Sequence, residues 1–75
     1  MKVILDNVNK VQDFVNTCSK FNFDVYMKSG RYIINAKSIM GVLSLNLSNP
    51  VDVKPDTTDI SSAQRFFENI VKFRE

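Results

Sequence analysis

The spacing of apolar residues switches repeatedly between a helical and an extended period within 75 residues, and this confines the chain to a mixed α and β fold. Val8, Val11, Phe14, Val15, Cys18 and Phe21 recur at steps of three and four. They draw one apolar stripe along a helix of roughly three turns, with Asn7 as its cap and Asn9, Gln12, Asp13, Asn16 and Lys20 on the opposite face. Before this helix, the β-branched run Lys2 to Leu5 predicts a first strand, ended by the polar pair Asp6-Asn7. After it, Phe23, Val25 and Met27 alternate with Asp24, Tyr26 and Lys28. Extended character resumes in Arg31-Tyr32-Ile33-Ile34-Asn35, so the two stretches read as a hairpin in which Ser29-Gly30 supplies the positive φ values of a tight turn.

The second half is less regular. Ala36 to Leu47 is apolar nearly all round, with Gly41 in its middle, and predicts a short helix beginning after Ser38. Asn46 to Pro50 reads as a loop. Val51-Asp52-Val53 then predicts a brief and weak strand closed by Pro55-Asp56, because proline cannot donate to a sheet ladder. Thr57-Thr58-Asp59 offers caps for a last helix whose stripe is Ile60, Ala63, Phe66, Phe67, Ile70 and Val71, with Phe73 as an outlying candidate. The predicted order is β-α-β-β-α-β-α over residues 1–75, a single domain with one layer of helices over one layer of sheet. A chain of this size hides only about 60% of the surface exposed on unfolding, so its six phenylalanines are expected to dominate a small core.

Composition excludes several function classes. Ten Lys and Arg against eight Asp and Glu leave a net charge of +2, without the basic run that marks a nucleic-acid footprint. Tyr26, Tyr32, Lys28 and Arg31 could place aromatics and cations on the sheet, but no RNA-binding motif accompanies them. No apolar stretch approaches the ~20 residues a membrane helix needs, and no secretory signal is visible, so the expected address is cytoplasmic. A lone Cys18 cannot form an internal disulfide and reads as a small core residue. No Cys/His cluster offers metal spacing, and Asp52, Asp56 and Asp59 lack the central glycine and terminal glutamate of a calcium loop. No cofactor is expected. The chain has no histidine at all, and so lacks the commonest general base near neutral pH and the usual phosphoryl-accepting imidazole.

The segment Lys37-Ser38-Ile39-Met40-Gly41-Val42-Leu43 carries the most chemistry. A hydroxyl capping the second helix would lie beside free N–H groups, where negative charge is favoured, and Lys37 adds a cation next to it. Ile39, Met40 and Leu43 share one face, and a short helix cannot bury both that set and Val42 with Leu45. The bland reading of Ser38 is a plain N-cap, and that of Ile39, Met40 and Leu43 is core packing. The sharper reading is a phosphate acceptor beside a partner-docking patch.

Ala36-Lys37-Ser38-Ile39-Met40-Gly41-Val42, followed by Leu43-Ser44-Leu45, resembles the regulatory-serine signature of HPr, the histidine-containing phosphocarrier family of the bacterial phosphoenolpyruvate-dependent sugar phosphotransferase system. Val15 and Ser19-Lys20-Phe21 also fit the end of that family's first helix. The resemblance implies an open-faced α+β sandwich, a four-stranded antiparallel sheet covered on one face by three helices. It is strong from about Phe14 to Leu47, and beyond Pro50 it rests on length and element order. The family carries its phosphoryl group on a histidine in a Gly-Leu-His-Ala-Arg-Pro type segment. Here Asp6-Asn7-Val8-Asn9-Lys10 stands there instead. Aligned backwards from Phe21, the histidine position falls on Asn7, which reads as a helix cap.

What the resemblance then implies is a non-enzymatic, histidine-less regulatory protein similar to the catabolite-repression HPr-like paralogues. Its acceptor would be Ser38, its docking residues Lys37, Ile39, Met40 and Leu43, and its partners phosphotransferase-system proteins, an HPr-type serine kinase or a transcriptional regulator. The alternatives are a phosphocarrier with a non-histidine acceptor such as Asp6, and an unmodified protein-binding module.

Overall fold

The computed structural model of the chain describes residues 1–75. Its elements are β1 (Lys2–Val3), α1 (Val8–Ser19), β2 (Val25–Ser29), β3 (Tyr32–Asn35), α2 (Ile39–Leu43), β4 (Val51–Pro55) and α3 (Ile60–Ile70), followed by a 3-10 turn at Val71–Phe73. The order is the one the apolar periods predict. The strands form one antiparallel sheet in the order β1-β4-β2-β3. Val3, Val25, Met27, Val51 and Val53 point from it into the core, alternating with exposed Lys2, Tyr26, Lys28, Asp52 and Lys54. One face is therefore covered and the other open. The cover is Val11, Phe14, Val15 and Cys18 from α1, Val42 from α2, and Phe66 and Ile70 from α3.

Phe66 is the hub of this packing. Its ring lies 5.3 Å from that of Phe21, 5.9 Å from Phe23 and 5.6 Å from Phe67, all edge-to-face. It thus ties α3 to the segment between α1 and β2, while Phe14 and Phe73 pack edge-to-face at 5.4 Å at the middle of α1.

Several details depart from the sequence expectations. The strand read as brief and weak runs for five residues, Val51–Pro55, and lies between β1 and β2. Proline is tolerated at its end for a directional reason. The Val53 N–H donates towards β1, to the Met1 carbonyl at 2.8 Å, and two residues later Pro55 faces the same side, where β1 has no residue to accept. The turn residues are Gly30-Arg31 rather than Ser29-Gly30, since Ser29 pairs with Tyr32. Only Gly30 has positive φ, +59°, the pattern of a II′ turn with glycine first.

The first strand ends at Val3, although Leu5 is still buried. Val8 and Ile60 were expected in the core, but both are exposed. Each is the first residue of its helix, at the end of the apolar stripe rather than over the core. Phe21 lies past the end of α1 and is half-buried. Val71 is exposed and Phe73 buried, because the last turn tightens from a period of 3.6 to 3.0 and swings Phe73 inward.

Phe66→Ala should therefore cost about 3–5 kcal/mol, while Ile60→Ala should stay within about 0.5 kcal/mol of the parent. Urea unfolding of the two variants checks this; a loss below about 1 kcal/mol for Phe66→Ala would contradict the role of its ring as hub.

Candidate functional site

An apolar groove runs from the start of α1 to the end of α2, and the start of α2 lies one helical turn further along the same short helix. At the first of the two starts, Asn7 caps α1 from extended backbone, φ −153°, and its Oδ1 accepts the Lys10 N–H at 2.8 Å. The Val11 N–H closes the first helical turn on the Asn7 carbonyl at 3.1 Å. Asp6, one residue earlier, is paired with the Lys10 ammonium at 3.0 Å, and that hydrogen bond and charge hold its carboxyl below the usual range.

At the second, Ser38 caps α2, and its Oγ accepts the Gly41 N–H at 3.1 Å. The Ser38 N–H donates to the Asn35 carbonyl and its own carbonyl accepts from Val42, both at 3.0 Å. Gly41 fits here because the hydroxyl comes so close. A Cβ at this position would stand 3.3 Å from Ser38 Oγ, tight enough to press on the capping group, while Ile34 Cδ1 at 3.6 Å would be in ordinary contact. Ser38 is half-buried rather than sealed.

Around this start, α2 turns Val42 into the core and leaves Met40 76%, Leu43 45% and Ile39 37% exposed. With only five residues in the helix, the two apolar sets point to opposite sides. Lys37 lies elsewhere than its neighbourhood in sequence suggested. Its ammonium donates to the Phe21 carbonyl at 2.6 Å, tying the turn before α2 to the chain just past α1.

Between α1 and α2 runs a groove of about 360 Å³, lined by Leu5, Val8, Val11, Leu43 and Leu47 with Asp6, Asn7 and Ser48 at its rim. It brings the first-helix start and the exposed Leu43 onto one continuous surface. The sequence reading missed Val8 and Leu47 as members. Val8 carried the period of the core stripe, and Leu47 sat in a segment apolar all round, where no periodicity assigns a face.

The remaining candidates do not converge. Asp52 pairs with the N-terminal ammonium at 3.3 Å. Asp59 caps α3 through the Ser61 N–H and Ser62 hydroxyl, which lower its carboxyl, and Asp56 donates its N–H to the Asp24 carbonyl at 2.7 Å. Cys18 is completely buried, and burial pushes its thiol up to about 12 although Lys37 nearby opposes the shift. No helix is long and apolar enough to cross a membrane.

A two-layer arrangement of this kind, with helices on one face of a β1-β4-β2-β3 sheet, belongs to the open-faced α+β sandwiches. The family model described as the PTS HPr component phosphorylation site matches residues 8–74, and the chain belongs to this HPr family of the phosphotransferase system. Its structure is similar to HPr-C-His from Thermoanaerobacter tengcongensis, with a TM-score of 0.75 at 26% identity over 96% of this chain and 86% of that one. The HPr dimer of the same organism matches with a TM-score of 0.62 at 30% identity over 87% of this chain and 79% of that one. The Bacillus subtilis catabolite repression protein Crh shares the fold, with a TM-score of 0.68 at 23% identity over 100% of this chain and 88% of that one. Proteins of this family carry phosphoryl groups or regulate, and interact with other proteins of the system.

Two measurements follow from the geometry. Ser38→Ala should lower stability by about 1 kcal/mol by removing the cap, and Ser38→Asp should restore most of it in urea titrations. The Cys18 thiol should be inert to a disulfide reagent at pH 8 until the protein unfolds. Because the unfolded thiol ionises near 9.0 and the folded one only at about 12, its contribution to stability is complete below pH 9.0 and disappears as pH rises towards 12. Rapid labelling of the native protein would overturn this.

Proposed function

We propose that the chain is a regulatory docking protein of the HPr family, without catalytic activity, switched by phosphate on Ser38 and not itself a phosphocarrier. The observation that carries the proposal is the Ser38 hydroxyl at the start of α2, on the same short helix as exposed Ile39, Met40 and Leu43, which the core does not use. The chain has no histidine, and Asn7, at the position of the family's carrier residue, spends its side-chain oxygen on the Lys10 N–H. An amide offers no nucleophile to take the place of an imidazole.

An ATP-dependent serine kinase would transfer a phosphoryl group to Ser38 Oγ, with the hydroxyl proton leaving to the kinase's base. The product gains about −1.5 to −2 charges at a helix start where the free N–H groups favour an anion, so the fold need not change. The switch is then a change in what the exposed surface binds. Ile39, Met40 and Leu43 give partners an apolar contact, and the phosphate adds a charged one beside it. The groove lined by Val8, Leu43 and Leu47 extends that contact towards α1. Lys37 serves the same surface by holding the turn before α2, through its bond to the Phe21 carbonyl. In this reading its partners are phosphotransferase-system proteins, the kinase and a transcriptional regulator, and it works in the cytoplasm.

Intact mass after two parallel incubations tests the reading, one with ATP and an HPr-type serine kinase, the other with phosphoenolpyruvate and the general phosphotransferase enzyme. The expected result is a gain of one phosphate with ATP alone, abolished in Ser38→Ala. A gain with phosphoenolpyruvate that maps to Asp6 would establish the carrier alternative. No gain with either would leave an unmodified binding module and overturn the switch.

A further inference from the structure

The two edges of the sheet are treated differently. On the β1 side the chain covers its own edge: Arg74 bridges Val3, the Ile4 N–H donates to the Phe73 carbonyl at 2.8 Å, and the Glu75 N–H donates to the Lys2 carbonyl at 3.0 Å. On the other side β3 has only β2 as a neighbour. With Ser29 opposite Tyr32 across a two-residue turn, the hydrogen-bonded pairs of this hairpin are Ser29 with Tyr32 and Met27 with Ile34, and the Ala36 N–H continues the ladder to the Val25 carbonyl at 2.8 Å. The N–H and carbonyl of Ile33 and the N–H of Asn35 therefore point away from the sheet.

This edge is short, but it has no charged or backbone device that blunts one. Its sequence is Tyr-Ile-Ile-Asn, without lysine, proline or a bulge, and Tyr32 and Ile33 are 71% and 65% exposed. Nothing in the core accounts for two large apolar side chains left there.

We infer that the β3 edge takes up β3 of a second copy of this chain, antiparallel, about a two-fold axis through Ile33. In that register the backbone of Ile33 exchanges hydrogen bonds with that of the partner's Ile33 on the axis. Tyr32 stands opposite the partner's Ile34 on the helix face, and Arg31 opposite the partner's Asn35. Each exposed apolar residue meets an apolar one, and no like charges face each other across the strand pair. The two copies of Lys28 stand three strand spacings apart, roughly 14 Å, beyond the screening length at physiological salt. Self-complementarity is what selects a second copy over a foreign strand. Ile34 also lines a cavity of about 560 Å³ between the hairpin tip and the loop after α2, which gives the incoming Tyr32 ring space beside it. A four-residue edge buries far less than the ~800 Å² per partner of a stable complex, so the dimer is weak. It uses none of the residues assigned to the Ser38 switch and stands or falls separately from it.

Sedimentation equilibrium of the full chain from roughly 20 μM to about 2 mM should show the mass rise from 8.6 kDa towards twice that value as concentration enters the range of weak interfaces. Ile33→Lys places two ammonium groups on the axis and should weaken association at least about tenfold. Ile33→Pro removes only an N–H that points outward, so it should abolish pairing with the circular dichroism unchanged. If either variant is unfolded, concentration-dependent amide shifts in the unaltered chain decide, and these should centre on residues 31–35. A mass that stays at 8.6 kDa, a dimer insensitive to both folded variants, or shifts centred on Ile39 and Met40 would each overturn the inference.

Discussion

Covering one face of a small twisted sheet is the constraint on which the rest of this molecule depends. Val25, Met27, Val51 and Val53 line that face, and the three helices must be held against it with few side chains available. Phe66 does most of the joining, because its ring reaches both Phe21 and Phe23 and so attaches the last helix to the connection between the first helix and the sheet. Each edge-to-face pair adds about 0.5–1.5 kcal/mol to the burial of its rings, a large share of the stability of so small a domain. Lys37 completes the same corner from outside, with its ammonium on the Phe21 carbonyl.

Once the helices are committed to that face, their ends overhang it, and the surface of interest lies at the overhangs. Val8 is apolar at the start of α1 but has nothing to cover it, and α2 is too short to bury Ile39, Met40 and Leu43 after Val42 has gone inward. Capping settles the polar chemistry of the same region. Asn7 and Ser38 each satisfy an N–H that the helix leaves free, so both are structural whatever else they do. They differ in what remains. The amide of Asn7 has no nucleophile to offer, whereas Ser38 keeps a hydroxyl, with a proton to donate and a second lone pair, while accepting one hydrogen bond.

The sheet edges follow the same logic. A chain that ends in a bridge to β1 hides one row of backbone groups, and the short hairpin leaves the other row free. The open face carries Lys2, Lys28 and Lys54 against Asp52, and its charge keeps that side hydrated without specifying a ligand.

The element order, the caps Asn7 and Ser38, a cap for the last helix among Thr57, Thr58 and Asp59, and the missing imidazole were all legible from the residues alone, whereas the exposed side of α2 was left between core packing and a docking patch. Each legible feature is local: a repeat of three or four, a hydroxyl, carboxamide or carboxylate before an apolar run, a residue that is present or absent. What the tertiary structure decided is whatever depends on neighbours distant in sequence. It put β4 in the middle of the sheet, where Pro55 points its missing donor to the side on which β1 has run out. It left Val8 and Ile60 outside a core whose period they shared, drew Lys37 to Phe21, and gathered Leu5, Val8, Leu43 and Leu47 into one groove. Periodicity states which side chains share a face, but only the packing of all three helices on the sheet determines which of those faces finds a partner within the chain.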